Sequence, residues 1–271
     1  MTELALTPDA RPFSVCATTW VGPGTVPVSK EDDMPTNKII EKMRRGERAL
    51  GLDLSFYTDE LIELAGLMGL DYVHYDGQHA PITPETIDRF CRICDGYGLT
   101  PSMRVPDHQP GNILNYLDRG IRSITVPITE SKEQAEALVK HCFFAPVGLR
   151  SFTGQRILRY GLGGDFKTVM EDTNASFLLI PQLETITAYN NLDEILTVDG
   201  IEVFAGGPND LAQSMGHVGE PDHPDCLRVT ADGEAKIHAA GKKLSSEVML
   251  GLNTTGSIQA DIAAFLKENG R

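Results

Sequence analysis

The chain has 271 residues, of which 41% are hydrophobic, so it can bury the core of one large α/β domain. Its formal net charge of −14 argues against a general binding surface for nucleic acid or for an anionic membrane. The sequence contains no apolar run of the roughly 18 residues that a transmembrane helix needs. The N-terminus also lacks the charged and apolar regions of a signal peptide, so we expect a cytoplasmic protein.

Strand-like and helix-like segments alternate along the chain from residue 48 onward. The predicted strands are 48–56, 71–75, 100–106, 123–127, 177–184, 201–207 and 242–250. The predicted helices are 58–68, 83–98, 111–120, 131–142, a segment around 189–196, 226–240 and 257–269, with a long connection over 143–176. Strands that alternate with helices predict a parallel sheet covered by helices. So many βα units favour an α/β fold of the TIM (β/α)₈ barrel type over an open sheet.

Two of the predicted helices carry clear start signals. Thr58 is the expected N-cap of the first, and Thr83 followed by Pro84 begins the second. Helical spacing predicts that one apolar face of the first helix holds Leu61, Leu64, Ala65 and Met68.

Closure of the barrel is less clear, because only seven strands follow residue 48. We therefore divide the chain into an N-terminal extension and linker over 1–36 and a barrel catalytic domain over 37–271. Residues 12–22 are rich in β-favouring side chains. One hypothesis is an atypical closure in which this segment fills the eighth position, between strands 49–56 and 244–250. The alternative is a peripheral arm at a subunit contact.

The chain has five cysteines, of which Cys91 and Cys94 form a CxxC pair. A structural zinc site would need a second such pair, and the other three cysteines do not supply one. A redox pair of the thioredoxin type would begin a helix, whereas this pair lies inside a helical pattern. We predict that both thiols pack in the core.

Polar side chains follow the ends of several predicted strands. They are Asp76 and His79 after the second strand, Arg104 after the third, Gln182 and Glu184 after the fifth, and Asp210 after the sixth. In a barrel the carboxyl ends of the strands meet on one face, where active sites are found. We therefore expect these side chains to surround one pocket.

Each of these residues also has a structural interpretation. Asp76 and His79 could belong to an ordinary polar loop, and Arg104 could form a structural ion pair. Glu184 and Asp210 could be a surface charge and a helix cap. Because the two carboxylates follow consecutive strands, we prefer the interpretation that they bind a hard divalent cation such as Mg²⁺.

The order of several motifs resembles that of the HpcH/HpaI aldolase family. The motifs are DYVHYDGQHAPI, MRVP, LDRGIRSITVPITESKEQAEALV, PVGLRS, PQLETITAYNNLDEI and VFAGGPNDLAQSMG. The resemblance covers about residues 37–225. It implies a TIM barrel and a class II pyruvate aldolase related to macrophomate synthase, with Mg²⁺, Mn²⁺ or Co²⁺ as cofactor. Such an enzyme cleaves 4-hydroxy-2-oxo acids to pyruvate and an aldehyde through a metal-bound pyruvate enolate.

The resemblance also implies a role for each strand-end residue. Glu184 and Asp210 correspond to metal ligands, and Gln182 to a contact with the 2-oxo acid. Arg104 corresponds to the residue that binds the C2 oxygen and stabilises the enolate. His79 corresponds to the acid/base, with Asp76 holding its ring. The resemblance further places Gly207 and Asn209 beside the substrate carboxylate, and it implies a homo-oligomer.

Two features depart from the family pattern. Gln78 stands where the family commonly has Glu, and the chain ends soon after its last predicted helix. Two alternative functions also stay open. One is another enolate-forming carbon–carbon lyase, acting on a CoA thioester or as an oxaloacetate decarboxylase. The other is a barrel without catalytic activity that serves as a binding partner.

Overall fold

The computed structural model describes residues 36–162 and 164–271. Its strands are β1 Ala49–Leu54, β2 Tyr72–Asp76, β3 Thr100–Arg104, β4 Ser123–Val126, β5 Leu178–Leu183, β6 Val203–Gly206, β7 Lys243–Leu244 and β8 Met249–Asn253. Its helices are α1 Lys38–Arg44, α2 Asp59–Leu67, α3 Pro84–Gly96, α4 Pro110–Arg119, α5 Lys132–Cys142, α6 Phe166–Ala175, α7 Ile186–Asn190, α8 Leu192–Ile195, α9 Pro208–Ser214, α10 Pro224–Ala239, α11 Ser245–Val248 and α12 Thr254–Glu268. A 3₁₀ segment, Arg156–Gly161, precedes α6.

All eight strands run parallel, and their order in the sheet is β7-β6-β5-β4-β3-β2-β1-β8. From β1 to β7, strands that are neighbours in the sheet are also consecutive in the sequence, and β8 lies on the other side of β1. This is the strand order of a (β/α)₈ barrel. Among the described residues no ladder joins β7 to β8, so the wall curls without closing. The predicted barrel fold with atypical closure is confirmed.

The predicted count of seven strands is wrong. The segment predicted as one strand over 242–250 contains β7, the single turn α11 and the start of β8. β8 pairs directly with β1, from Ala49 opposite Met249 to Asp53 opposite Asn253. The place proposed for residues 12–22 is therefore filled by β8, and those residues themselves lie outside the described part of the chain. The boundary drawn at residue 36 stays a prediction.

The core has two parts. Helix α1 packs Ile39, Ile40 and Met43 against side chains that point to the inside of the sheet, among them Tyr72 and Ile180. A larger cluster fills the space between the outer face of the sheet and the surrounding helices. No helix among the described residues combines the length and apolar character that a membrane span needs.

Helix α3 forms as its sequence predicts. Thr83 caps it by accepting a hydrogen bond from the Thr86 N–H, and Pro84 occupies its first turn. Cys91 and Cys94 are fully buried in the core, as predicted from the helical pattern around them.

Helix α2 differs from its prediction in two ways. Thr58 holds the N-cap position, but its side chain makes no capping hydrogen bond. Ile62 and Ala65 form the buried face, whereas Leu64 and Met68 are 49% and 75% exposed. The predicted face was wrong because apolar residues occur on more than one side of this helix, so spacing alone does not select one face.

The contact between β1 and β2 is tight enough to test the register. A Cβ atom placed on Gly51 would lie 2.4 Å from the ring of Tyr72, which is 2% exposed. We predict that Gly51→Ala lowers the free energy of unfolding in urea by about 1–3 kcal/mol, the usual range for overpacking a core.

Gly96→Ala is the matched control, because a Cβ atom there meets nothing within 4 Å at the end of α3. It should leave the stability unchanged or raise it slightly, since alanine favours a helix. Equal effects of the two substitutions would contradict the pairing of Gly51 with Tyr72.

Candidate active site

The site lies at the end of the barrel where the carboxyl ends of β2, β3, β5 and β6 meet. Asp76 and Arg104 are direct partners in the β2–β3 ladder, and Gln182 is opposite Ala205 in the β5–β6 ladder. Parallel pairing therefore brings the predicted residues to one rim, because the register leaves each of them at the end of its strand.

Glu184 is the most buried acidic side chain of this rim, with 2% of its surface exposed. Its Oε1 atom accepts a hydrogen bond of 2.8 Å from the Ile128 N–H, whereas its Oε2 atom is buried and has no partner among the described residues. A buried carboxylate oxygen without a donor is unfavourable unless a cation or a proton meets it.

Burial raises the pKa of Glu184 above its ordinary value. The Ile128 N–H lowers that pKa, the negative charge of Asp210 raises it, and the charges of Arg104 and His79 lower it. The charges of three other predicted residues therefore affect the pKa of this one carboxyl group.

Gln182 lies beside Glu184 and is 7% exposed. Its Nε2 atom donates to the Gly206 carbonyl at 3.3 Å, which leaves Oε1 buried and without a partner among the described residues. Two buried oxygens, one from each side chain, therefore have lone pairs available at the end of β5.

Gly207 allows this arrangement by its lack of a side chain. A Cβ atom there would lie 2.6 Å from Glu184 Oε2 and 3.0 Å from Gln182 Nε2. Asn209 and Asp210 follow in the first turn of α9, and both are exposed. The negative charge of Asp210 acts on Glu184, so Asp210 can supply a second carboxylate near it.

This donor set fits a hard divalent cation. It offers the partnerless Oε2 atom of Glu184 and the exposed carboxylate of Asp210, with the free amide oxygen of Gln182 nearby. Mg²⁺ and Mn²⁺ prefer carboxylate and carbonyl oxygens, and Mg²⁺ commonly uses one or two carboxylates while it keeps several waters.

Asp76 and Arg104 form a bidentate ion pair across the β2–β3 ladder. Arg104 Nε donates to Asp76 Oδ1 at 3.0 Å, and Arg104 Nη2 donates to Asp76 Oδ2 at 2.5 Å. Burial alone would raise the pKa of Asp76, but the hydrogen bonds from Arg104 and from the Gln78 N–H outweigh it, so the net shift is downward.

The structure does not place Asp76 against the ring of His79. Asp76 Oδ1 accepts the Gln78 and His79 backbone N–H groups at 2.9 and 3.4 Å, so the carboxylate fixes the loop and the arginine instead. The described residues show no hydrogen bond from the exposed His79 ring. The dyad stays a prediction. Gln78 is half-buried beside it, with its Oε1 atom partnerless.

Two neighbours of the site are not among the predicted site residues. Ile128, which donates to Glu184, has a φ of 52°, an uncommon conformation for a β-branched residue. No sequence signal marks it. His108, in the loop after β3, lies 2.6 Å from the Pro127 carbonyl through Nε2. A histidine shortly after a strand end is a signal that selects His108 as readily as His79.

Comparison with known proteins identifies the family. The sequence profile described as HpcH/HpaI aldolase/citrate lyase matches residues 51–267. The chain belongs to this family. The predicted family is confirmed, as is the prediction of a carbon–carbon lyase of the aldolase type.

Individual members of the family show how close the likeness is. A 2-keto-3-deoxy-L-rhamnonate aldolase of Escherichia coli O17:K52:H18 is 33% identical over 207 residues, which cover 76% of this chain and 77% of that protein. An HpcH/HpaI aldolase/citrate lyase family protein from Burkholderia cenocepacia J2315 has a TM-score of 0.78 at 25% identity, covering 87% of this chain and all of that one. Macrophomate synthase shares the fold, with a TM-score of 0.71 at 17% identity over 88% of this chain and 94% of its own.

The contact between Gly207 and Glu184 gives a direct test of the site. Gly207→Ala should lower kcat/KM by about 100-fold, the scale expected when a catalytic group moves by about an ångström, while the unfolding transition is retained. The neighbouring Gly206→Ala is the control, because a Cβ atom there meets nothing within 4 Å. Similar kcat/KM values for the two variants would show that Glu184 does not need this position.

Proposed function

We propose that this family member is a divalent-metal-dependent aldolase that cleaves 4-hydroxy-2-oxo acids to pyruvate and an aldehyde, and catalyses the reverse addition. The observation that carries the proposal is the buried, partnerless Oε2 atom of Glu184, with Asp210 beside it. The Escherichia coli relative supports the substrate class, because its name describes an aldolase of a 2-keto acid.

Glu184 and Asp210 would hold the cation, which would be Mg²⁺, Mn²⁺ or Co²⁺. When bound, the cation would polarise the 2-oxo group of the substrate and lower the energy of the enolate. Gln182 would contact the 2-oxo acid through the second N–H group of its Nε2 atom, because the oxygens of a 2-oxo acid accept hydrogen bonds. Gly207 and Asn209 would border the substrate carboxylate, since neither has a large apolar side chain to block it.

Arg104 would bind the C2 oxygen of the substrate. Its Nε and Nη2 atoms are engaged by Asp76, which leaves the N–H groups of Nη1 to donate to a ligand. A guanidinium fixed in this way before the substrate arrives stabilises developing negative charge without reorganisation. Asp76 therefore acts as a positioning residue for Arg104.

His79 would be the general acid/base. In cleavage it would accept the proton of the 4-hydroxyl group, and in addition it would return a proton to the same oxygen. Its exposed ring suits this role, because the aldehyde must enter and leave at the open side of the rim.

We also propose that the enzyme is a homo-oligomer. The last helix, α12, exposes Ile258, Ile262 and Phe265 by 43%, 53% and 65%. A second copy of the chain would remove these apolar side chains from water.

The assay that tests the proposal measures pyruvate released from a panel of 4-hydroxy-2-oxo acids. Wild type should lose activity in chelator and regain it with Mg²⁺, Mn²⁺ or Co²⁺. His79→Ala should slow cleavage by about 10²–10⁴-fold, the usual effect of losing a general acid/base, and should still bind the cation.

Two variants serve as controls for this assay. Asp210→Asn should lose activation by the cation, whereas His141→Gln, a substitution in α5 away from the strand ends, should retain full activity. Pyruvate release by a metal-free preparation, or wild-type turnover by His79→Ala, would contradict the proposal.

A further inference from the structure

Two histidines and two acidic residues gather in the connection between α9 and α10, away from the residues assigned to the aldolase site. The imidazole rings of His217 and His223 are stacked, with centroids 3.5 Å apart and an interplanar angle of 14°. Metal-ligating atoms of His217, Glu220 and His223 all lie within 4.8 Å of one another. Asp225 adjoins both rings. We propose that this His217–Glu220–His223–Asp225 cluster is a second metal site, for a borderline divalent cation of the Zn²⁺ class.

The backbone holds the ligand side chains together. The Glu220 N–H donates to the His217 carbonyl and the His223 N–H donates to the Glu220 carbonyl, each at 3.0 Å. The connection therefore makes two successive turns, and Gly216 and Gly219 supply left-handed φ values of 86° and 77°. Three ligands at intervals of three residues are thereby placed on one side of the connection.

The distances suit a tetrahedral ion. Asp225 Oδ2 lies 3.7 Å from His217 Nε2 and 3.8 Å from His223 Nδ1. Zn²⁺ binds nitrogen and oxygen at about 2.0–2.1 Å, so two ligand atoms of a tetrahedral site are about 3.3 Å apart. Shifts of about half an ångström in these half-buried side chains would bring Asp225 Oδ2 to that spacing from both nitrogens.

The directions of the ligand atoms require one change. An imidazole nitrogen binds a metal in the plane of its ring, and the planes of His217 and His223 are stacked 14° from parallel, so one ring must rotate about its side-chain torsions to direct both nitrogens at the same ion. Asp225 Oδ1 is held by Arg228 Nη2 at 3.0 Å, which leaves Oδ2 free to face the histidines. The Asp225 N–H donates to His223 Nδ1 at 3.2 Å, so Nδ1 is the ring nitrogen with the lone pair that a metal needs. Metal binding would replace this one long hydrogen bond.

The ligand types distinguish this site from the aldolase site. Imidazole nitrogens suit Zn²⁺, Co²⁺, Ni²⁺ and Cu²⁺, whereas Mg²⁺ prefers an all-oxygen set. The two sites share no residue, so the second site does not depend on the proposed function. A cation there would join the segment that follows α9 to the start of α10.

Calorimetric titration of the full chain with Zn²⁺ in excess Mg²⁺ tests the proposal. Mg²⁺ occupies an oxygen site but competes poorly for imidazole, so we expect one equivalent of Zn²⁺ to bind the wild type. His217→Gln or His223→Asn should weaken that binding by at least about 100-fold, because losing a direct ligand is more severe than losing a partner behind it. Asparagine keeps the capping role of His223 in α10, so this variant should still fold.

His238→Gln is the matched control. It removes a histidine in the last turn of α10, which pairs with Glu247 of α11 and not with the cluster. It should bind Zn²⁺ like the wild type, as should Asp210→Asn, in which the aldolase site is impaired. Absence of the Zn²⁺ equivalent, unchanged binding in both histidine variants, or its loss in Asp210→Asn would overturn the proposal.

Discussion

Glu184 directly follows β5, and its carboxylate is buried between the loops that hold Ile128 and Gly207. The other residues of the rim are arranged around this unfavourable placement. One oxygen takes the Ile128 N–H and the other has no donor among the described residues. The left-handed backbone of Ile128 directs its N–H toward this carboxylate. Gly207 has no side chain, so the carboxylate can lie against its Cα. A cation between Glu184 and Asp210 would neutralise the buried charge and so offset the cost of its burial.

The second charged element of the rim is satisfied internally. Asp76 and Arg104 hold each other across adjacent strands, and the register of the β2–β3 ladder makes them neighbours. The site thus combines the Asp76–Arg104 ion pair, which keeps Arg104 in place, with the Glu184 carboxylate, whose Oε2 atom is available to a ligand. His79 lies outside both arrangements with an exposed ring, where an incoming aldehyde can reach it.

Much of this could be predicted because the signals are local. Thr83 and Pro84 start α3 where capping chemistry requires, and alternating strands and helices imply that strand ends share one face. The split of residues 242–250 into β7, α11 and β8 could not be predicted, because its apolar and polar residues suit one long strand equally well. The pairing of β8 with β1 determines where the strand begins, and this pairing joins residues about 200 positions apart in the sequence. The conformation of Ile128 is likewise imposed by its contact with β5, not by its own sequence.

The unfolding free energy of Glu184→Gln tests the central claim most directly. Burial raises the pKa of Glu184. In chelator, the contribution of Glu184 to stability is therefore present below the unfolded-state value of about 4.3 and declines as pH rises through the raised pKa. In chelator at pH 7 the variant should therefore be at least as stable as the wild type, and this advantage should vanish below about pH 4. Mg²⁺ or Mn²⁺ should then stabilise the wild type alone, because only the wild type binds the cation in its folded state. A wild type that is more stable than Glu184→Gln in chelator and gains nothing from either cation would contradict the account.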